Sequence, residues 1–267
     1  MNSKEANIMV FSDLDGTLLD ERYDFQKSKP IIDQLLVLNV PIVFCSSKTE
    51  AEIEFYRKEL GIRDPFISEN GSAIFIPRGY FQFDYSFTRQ TEKYNIIELG
   101  TAYSVVREKL EKVKKGSGTK IVGFGDMTGE EIAEDSGLPL ELAKLAKRRQ
   151  YDEPFRIVEG NENEVSDAIT KEGLHAIKGG RYFHIMGKSD KGNAVAILKG
   201  LYAKGFGEII ACGIGDSPND LSMLENVDIP ISVRETSREN EHYTIWTELL
   251  EKIRAALNMK SEGVNGV

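Results

Sequence analysis

Short apolar runs alternate with amphipathic stretches at both ends of this 267-residue chain, and in the middle the alternation stops. At the N-terminal end, "IMVFSD" reads as a buried strand. "SKPIIDQLLVLN" reads as a helix that Ser28 can cap and Pro30 can open, and "VPIVFCS" as the next strand. "SKTEAEIEFYRKELG" follows as a helix with a Ser47/Glu50 capping box and Gly61 as its stop. This β-α-β-α order predicts a parallel sheet with right-handed crossovers. "PFISENGSAIFIP" then carries a hairpin signal, with Asn70-Gly71 turning between two apolar runs.

After Pro77 the rhythm changes. Aromatics crowd "RGYFQFDYSF", a Thr128/Glu131 capping box opens a helix, and "LHAIKGGRYFHIM" reads as a hairpin on Gly179-Gly180. Near Lys191 the first rhythm returns: helix, strand "EIIACGIGD", helix "SPNDLSMLENV", strand "DIPISV", and a closing amphipathic helix "WTELLEKIRAALN". The expectation is an α/β fold whose sheet domain is split. Residues 1–79 and 188–267 form a Rossmann-like parallel core, and 80–187 form an inserted α+β module.

Composition limits the partners. The chain is 40% hydrophobic and 29% charged, a globular balance, with a formal charge of -9. An acidic surface disfavours nucleic acid and anionic membrane, so attraction for an anionic small molecule must come from a few placed cations. No apolar run approaches a membrane span. The N-terminal apolar stretch is too short for a signal peptide and is interrupted by an acid. Cys45 and Cys212, the only cysteines, each end a strand-like run and read as buried, reduced thiols. A cytoplasmic monomer or homodimer is expected.

In open α/β sheets, ligands collect beyond the carboxyl ends of the strands. Three such ends are polar here: Asp13 and Asp15; Ser46, Ser47 and Lys48; and "GDSPND" with Asp216, Asn219 and Asp220. Were those strands neighbours, several carboxylates would meet in one crevice, a costly arrangement unless a cation sits among them. Oxygen donors suit a hard ion, and Mg²⁺ is the usual one beside phosphate. "DLDG" is not an EF-hand loop, because glycine follows the second acid directly and a strand precedes it. "GIGDSP" lacks the third glycine of a dinucleotide fingerprint. Each residue taken alone has a plainer reading. Asp15-Gly16 and Asn70-Gly71 suit turns, Ser46 a helix cap, Lys191 a solvated helix, and Ser217/Asp220 a capping box with Pro218 in the first turn.

The order of these strand ends resembles the haloacid dehalogenase superfamily of phosphotransferases. "DLDGTLL" matches its first motif, Ser46 its second, Lys191 in "SDKGNA" its lysine motif and "GDSPND" its acidic motif. The middle module resembles that superfamily's type-two cap. "CSSKT", "FISENGSAIFIP", "GFGDMTGEEI", "AKRRQYDEP" and "GGRYFH" further resemble the mannosyl-3-phosphoglycerate phosphatase family, which makes mannosylglycerate, a compatible solute. The resemblance implies Asp13 as nucleophile, Asp15 as general acid and base, and Ser46 and Lys191 on the phosphoryl group. It implies Mg²⁺ held by Asp13, the Asp15 backbone carbonyl and Asp216, with Asp220 a water-mediated neighbour or a brace. It further implies a phosphorylated glycoside substrate contacted by Ser47, Lys48, Asn70, Asp126, Arg149, Arg181 and Asn219. His184, in an alternating strand, reads as a packed side chain. Rival readings are a phosphatase of glucosyl-3-phosphoglycerate or another sugar phosphate, a phosphomutase, and a non-catalytic sugar-phosphate sensor.

Overall fold

A computed structural model describes residues 7–179, 181–232 and 241–264. β1 (Asn7–Ser12) leads through α1 (Lys29–Val37) to β2 (Ile42–Phe44), and α2 (Glu50–Leu60) leads to β3 (Phe66–Ser68) and β4 (Ala73–Pro77). β5 (Arg89–Gln90) and β6 (Tyr94–Glu98) follow. Next come α3 (Tyr103–Ser117), β7 (Lys120–Gly123), α4 (Gly129–Ser136), α5 (Leu140–Ala146), β8 (Glu153–Glu159), α6 (Glu162–Lys171), β9 (His175–Lys178) and β10 (Phe183–Met186). The chain closes with α7 (Lys191–Phe206), β11 (Ile209–Gly215), α8 (Leu221–Leu224), β12 (Ile229–Ser232) and α9 (Glu241–Val264).

The strands at the two ends of the chain form one parallel sheet in the order β12-β11-β1-β2. β1 lies inside it, and its residues alternate between two cores. Ile8 and Val10 pack with Ile32, Leu35, Trp246 and Leu249 from α1 and α9, while Met9 and Phe11 pack with Val195, Leu198 and Met223 from α7 and α8. Burial on both faces explains an apolar run without polar interruption, each side chain contributing about 1.5–3 kcal/mol. The Trp246 indole also donates to the Thr17 carbonyl at 3.1 Å, tying α9 to the loop after β1.

The Asn70-Gly71 hairpin is present: β3 and β4 pair antiparallel, and the turn holds Glu69, Asn70 and Gly71 at positive φ (45°, 58° and 88°). An isolated bridge from Cys45 to Ile67, with the Ser46 N–H on the Ile67 carbonyl at 3.1 Å, joins this hairpin to the edge of the parallel sheet. β6 pairs with β4 from Ala73↔Glu98 to Pro77↔Tyr94, so the strand at 94–98 belongs to a sheet begun before residue 80. The aromatics before it pack on α7, Phe81 lying 5.3 Å from Tyr202 between ring centroids.

The third sheet, β7-β8-β10-β9, is antiparallel throughout and backed by α3 and α6 through Val106, Leu110, Val165 and Ile169. Its β9–β10 hairpin turns where expected, the Gly179 N–H reaching the Tyr182 carbonyl at 2.9 Å; Gly180 lies outside the described residues. The Thr128/Glu131 capping box is formed.

Two helix starts differ from the sequence reading. α2 is capped by Thr49 and Glu52, not Ser47 and Glu50: the Glu52 N–H donates to Thr49 Oγ1 at 3.2 Å and the Thr49 N–H to Glu52 Oε2 at 3.0 Å. The same Ser/Thr-x-x-Glu spacing occurs twice, two residues apart. Ladder bonds at Cys45 and Ser46 hold the chain extended, so the helix takes the later box. That leaves Ser47 and Lys48 in the loop facing the sheet's end. Ser28 does not cap α1 with its side chain; its hydroxyl donates to the Leu18 carbonyl at 3.0 Å, while Pro30 sits in the first turn.

Candidate active site

The Asp13 N–H donates to the Ile214 carbonyl at 3.0 Å, extending the β1–β11 ladder by one residue and holding the Asp13 side chain at the sheet's carboxyl edge. Gly16 then turns at φ +72°, and a Cβ there would lie 2.4 Å from Asp216 Oδ2. Glycine is thus required twice over, for the turn and for contact between the loops after β1 and β11. In the second loop Asp220 braces the backbone: its Oδ2 accepts from the Asp216 N–H at 3.1 Å and the Ser217 N–H at 2.9 Å. Lys191, at the start of α7 and 1% exposed, donates to Asp13 Oδ1 at 2.7 Å and Asp220 Oδ1 at 2.6 Å.

Asp13, Asp216 and Asp220 converge, each offering an oxygen within 4.8 Å of the others. Lys191 pairs with two of the three carboxylates, Asp13 and Asp220. Burial and the Asp220 charge push the Asp13 carboxyl well above its ordinary range, against Lys191, and burial with Asp220 pushes Asp216 up too. This all-oxygen, charge-rich donor set fits a hard divalent cation such as Mg²⁺.

Asp15 stands outside that trio. Its Oδ1 lies 2.9 Å from Lys48 Nζ, which is also 3.5 Å from Glu52 Oε1 and 5.2 Å from the centre of the Tyr23 ring. Burial opposes the Lys48 charge, but Asp15 and Glu52 outweigh it and hold the ammonium protonated. The Asp15 carboxylate thus pairs with Lys48 and is not part of the acidic trio.

Above these residues a cavity of 610 Å³ opens between the parallel sheet and the middle module. Asp13, Asp15, Ser47, Lys48, Asp216 and Asn219 line its floor; Arg149, Arg181 and His184 contribute from the module. Ser46 is fully buried beneath, its Oγ accepting the Lys48 N–H at 3.3 Å. Asn70, also buried, bridges the two sides: its Oδ1 accepts from Asn219 Nδ2 at 2.9 Å and its Nδ2 donates to Asp152 Oδ2 at 2.9 Å.

Two residues read from the sequence as substrate contacts, Arg149 and Asp126, are otherwise engaged or sited. Arg149 is buried, donating twice to the Ser47 carbonyl at 2.9 and 3.0 Å and pairing with Asp152 at 2.6 Å, so it fastens the module to the core. Asp126 is away from the cavity lining. It is held by Arg107 at 2.5 Å, Lys114 at 2.6 Å and the Gly123 N–H at 2.8 Å, and these outweigh burial and lower its pKa to about 2. Arg181 is exposed on the cavity wall, donating to the Ser136 carbonyl, which also accepts from Tyr23 at 3.1 Å. Sequence reasoning missed Glu69, whose buried carboxylate accepts the N–H groups of Gln150, Tyr151 and Asp152 at 2.8–3.1 Å. It also missed Asp152 and the cavity-lining position of His184. "YDEP" and "SEN" held that signal only as acids beside turns.

The sequence profile of the haloacid dehalogenase-like hydrolases matches residues 10–244. The chain belongs to that family. This haloacid dehalogenase-like hydrolase is 45% identical over 245 residues to a glucosyl-3-phosphoglycerate/mannosyl-3-phosphoglycerate phosphatase of Methanococcoides burtonii, covering 90% of each chain. It is 43% identical to a mannosyl-3-phosphoglycerate phosphatase of Pyrococcus horikoshii, over 82% of this chain and 88% of that one. Among solved structures, a haloacid dehalogenase-like hydrolase from B. subtilis superposes with a TM-score of 0.59 at 17% identity, over 88% of this chain and 91% of the other, and shares the fold. The Rossmann-like core with an inserted α+β cap is thus the family's architecture. No helix among the described residues is long and apolar enough to cross a membrane.

Proposed function

We propose that this hydrolase removes the phosphate of mannosyl-3-phosphoglycerate, and of its glucosyl counterpart, releasing the glycosylglycerate. The observation that carries the reading is Asp13. It is a buried carboxylate at a strand end, clamped by Lys191 and one residue from a second acid, in a chain close to phosphatases named for those two substrates.

Asp13 would attack phosphorus as the bond to the glycerate oxygen breaks, forming an aspartyl phosphate. Asp15, kept in place by Lys48, would protonate the leaving oxygen. It would then take a proton from the water that cleaves the aspartyl phosphate, restoring Asp13. Lys191 offsets negative charge on Asp13 and on the phosphoryl oxygens. Asp13, Asp216 and the Asp15 carbonyl would hold Mg²⁺, with Asp220 bracing the loop; the bound ion would neutralise phosphoryl charge. Ser47, which lines the cavity in the loop before α2, is suited to phosphoryl oxygens, with Ser46 buried beneath it. Arg181 is the cap cation best exposed to receive the glycerate carboxylate.

We take the cap to begin after β6, near residue 100, because β6 pairs with core strand β4 and β5 pairs with β6. We assign the enzyme to the cytoplasm, where the buried free thiols of Cys45 and Cys212 stay reduced.

Phosphate release from mannosyl- and glucosyl-3-phosphoglycerate, with Mg²⁺ and after chelation, tests the reading. Turnover of both with Mg²⁺ is expected. Inactivity on both, alongside turnover of a plain hexose phosphate, would replace it.

A further inference from the structure

His184 lies on β10 with only 7% of its surface exposed, and it lines the cavity. Its Nδ1 is 3.0 Å from Asp152 Oδ2. Asp152 is fully buried and paired with the Arg149 guanidinium at 2.6 Å, which keeps it a carboxylate. A carboxylate only accepts, so the ring nitrogen facing it must carry the proton. The neutral imidazole then has its lone pair on Nε2. That nitrogen lies beside Gly179, another cavity residue, where an added Cβ would come within 3.2 Å of it. Among the described residues Nε2 has no hydrogen-bond partner.

Asp152 is itself fixed. Its N–H is held by Glu69 at 2.8 Å, its Oδ1 by Arg149, and its Oδ2 by Asn70, which is bonded in turn to Asn219 in the loop of the acidic trio. The His184 ring is therefore registered to the core loop through three consecutive hydrogen bonds, although it belongs to the cap.

We propose that His184 is a specificity residue whose Nε2 accepts a hydrogen bond from a hydroxyl of the substrate's sugar. The proposal rests on the functional reading above. A lone pair at that point selects among the parts of a phosphorylated glycoside. Phosphate and carboxylate oxygens are acceptors and gain nothing from it, whereas the sugar is the part with hydroxyl donors. The Asp152 clamp sets the direction of that lone pair before substrate arrives, so little rotamer freedom is lost on binding.

The test compares kcat/KM for mannosyl-3-phosphoglycerate with that for p-nitrophenyl phosphate, which has no sugar. His184→Asn keeps a donor at the Nδ1 position for Asp152 and removes the acceptor at Nε2; His184→Ala removes both. His184→Asn should lower the ratio of the two kcat/KM values about tenfold to a hundredfold, the cost of a sugar hydroxyl buried without its partner. Its melting temperature should stay closer to wild type than that of His184→Ala. An unchanged ratio in His184→Asn would overturn the proposal, as would equal losses on both substrates. Should the wild-type enzyme not turn over the glycosyl substrate, the functional reading fails by itself. The same ratio is then measured on whichever sugar phosphate it does hydrolyse, with the same two outcomes.

Discussion

The core and the cap each hold a cluster of acids, and the two clusters are built on opposite terms. In the cap, Asp126 and Glu153 meet Arg107 and Lys114. Glu153 receives Arg107, Tyr103 and the Gly125 N–H, all at 2.7 Å, and these donors offset most of its burial, which still raises its pKa. In the core, Asp13 and Asp220 share the ammonium of Lys191, and Asp216 lies beside them with an oxygen within 4.8 Å of each. The same residue type is accordingly driven in opposite directions, Asp126 down and Asp13 and Asp216 up. A cluster already satisfied by its own chain is part of the fold. One left with excess charge retains its cost until a cation arrives, and that marks where chemistry is done.

The largest expected effect tests whether the core cluster is catalytic. Asp13→Asn should reduce phosphate release by on the order of 10⁴-fold or more, the scale of losing a covalent nucleophile. Because it also removes one of three crowded charges, its melting temperature in chelator should not fall below that of wild type. Near-normal turnover would end the aspartyl-phosphate scheme.

Arg149 belongs with the satisfied cluster in this comparison, although its motif suggested a substrate contact. Arg149→Ala strands the buried Asp152 carboxylate and frees the Ser47 loop, a change worth about 3–5 kcal/mol. It should lower the denaturation midpoint and reduce activity on glycosyl and generic substrates alike. Arg181→Ala should act mainly on the substrate that carries a carboxylate. Reversal of these two patterns in paired kinetics would make Arg149 the recognition residue after all.

The contrast between Arg149 and Arg181 shows where sequence reasoning stops. Local signals were legible. β1 announced burial on both faces by its unbroken apolar run, Asn70-Gly71 announced its turn, Thr128 and Glu131 their box, and the acids their place at strand ends. The α2 cap was ambiguous because two boxes overlap, and only the ladder bonds of Cys45 and Ser46 decide between them. β6 returns to β4 after an aromatic detour, and nothing in that detour states which sheet it rejoins. His184 and Asp152 are 32 residues apart, so a strand pattern that correctly marks His184 as inward cannot say what it faces. Asp126 looked like a free acid in a cap motif, because the cations that consume it come from α3.

A divalent cation should stabilise the core cluster alone. At a concentration one hundred times its dissociation constant, Mg²⁺ would add about 2.7 kcal/mol, raising the melting temperature by several degrees. Asp216→Asn should largely abolish this shift, and Asp126→Asn should leave it intact. Asp220→Ala, which frees two backbone N–H groups, should cost more stability but less metal affinity than Asp216→Ala. Equal Mg²⁺ shifts in Asp216→Asn and wild type would remove Asp216 from the metal site.

The smallest effect is the response to acid, where the two clusters should have opposite signs. Asp126 has a folded pKa of about 2, below its ordinary value of 3.8. The unfolded chain therefore takes up the proton first. The stabilising contribution of Asp126 is present above about pH 4 and is lost as the pH falls through 2. Asp13 and Asp216, raised without a metal, bind protons more tightly in the folded state. Their ionisation costs stability as the pH rises through their folded values, and that cost is relieved on acidification toward pH 4. Melting curves in chelator between pH 7 and 2 separate the two. Asp126→Asn should flatten the decline below pH 4, by about 1 kcal/mol or less because that acid is accessible to solvent. Asp216→Asn should instead weaken the relief seen on acidification toward pH 4. An Asp126→Asn profile that parallels wild type below pH 4 would mean that Arg107 and Lys114 contribute nothing net through Asp126, and the cap cluster would be a solvated surface rather than a brace.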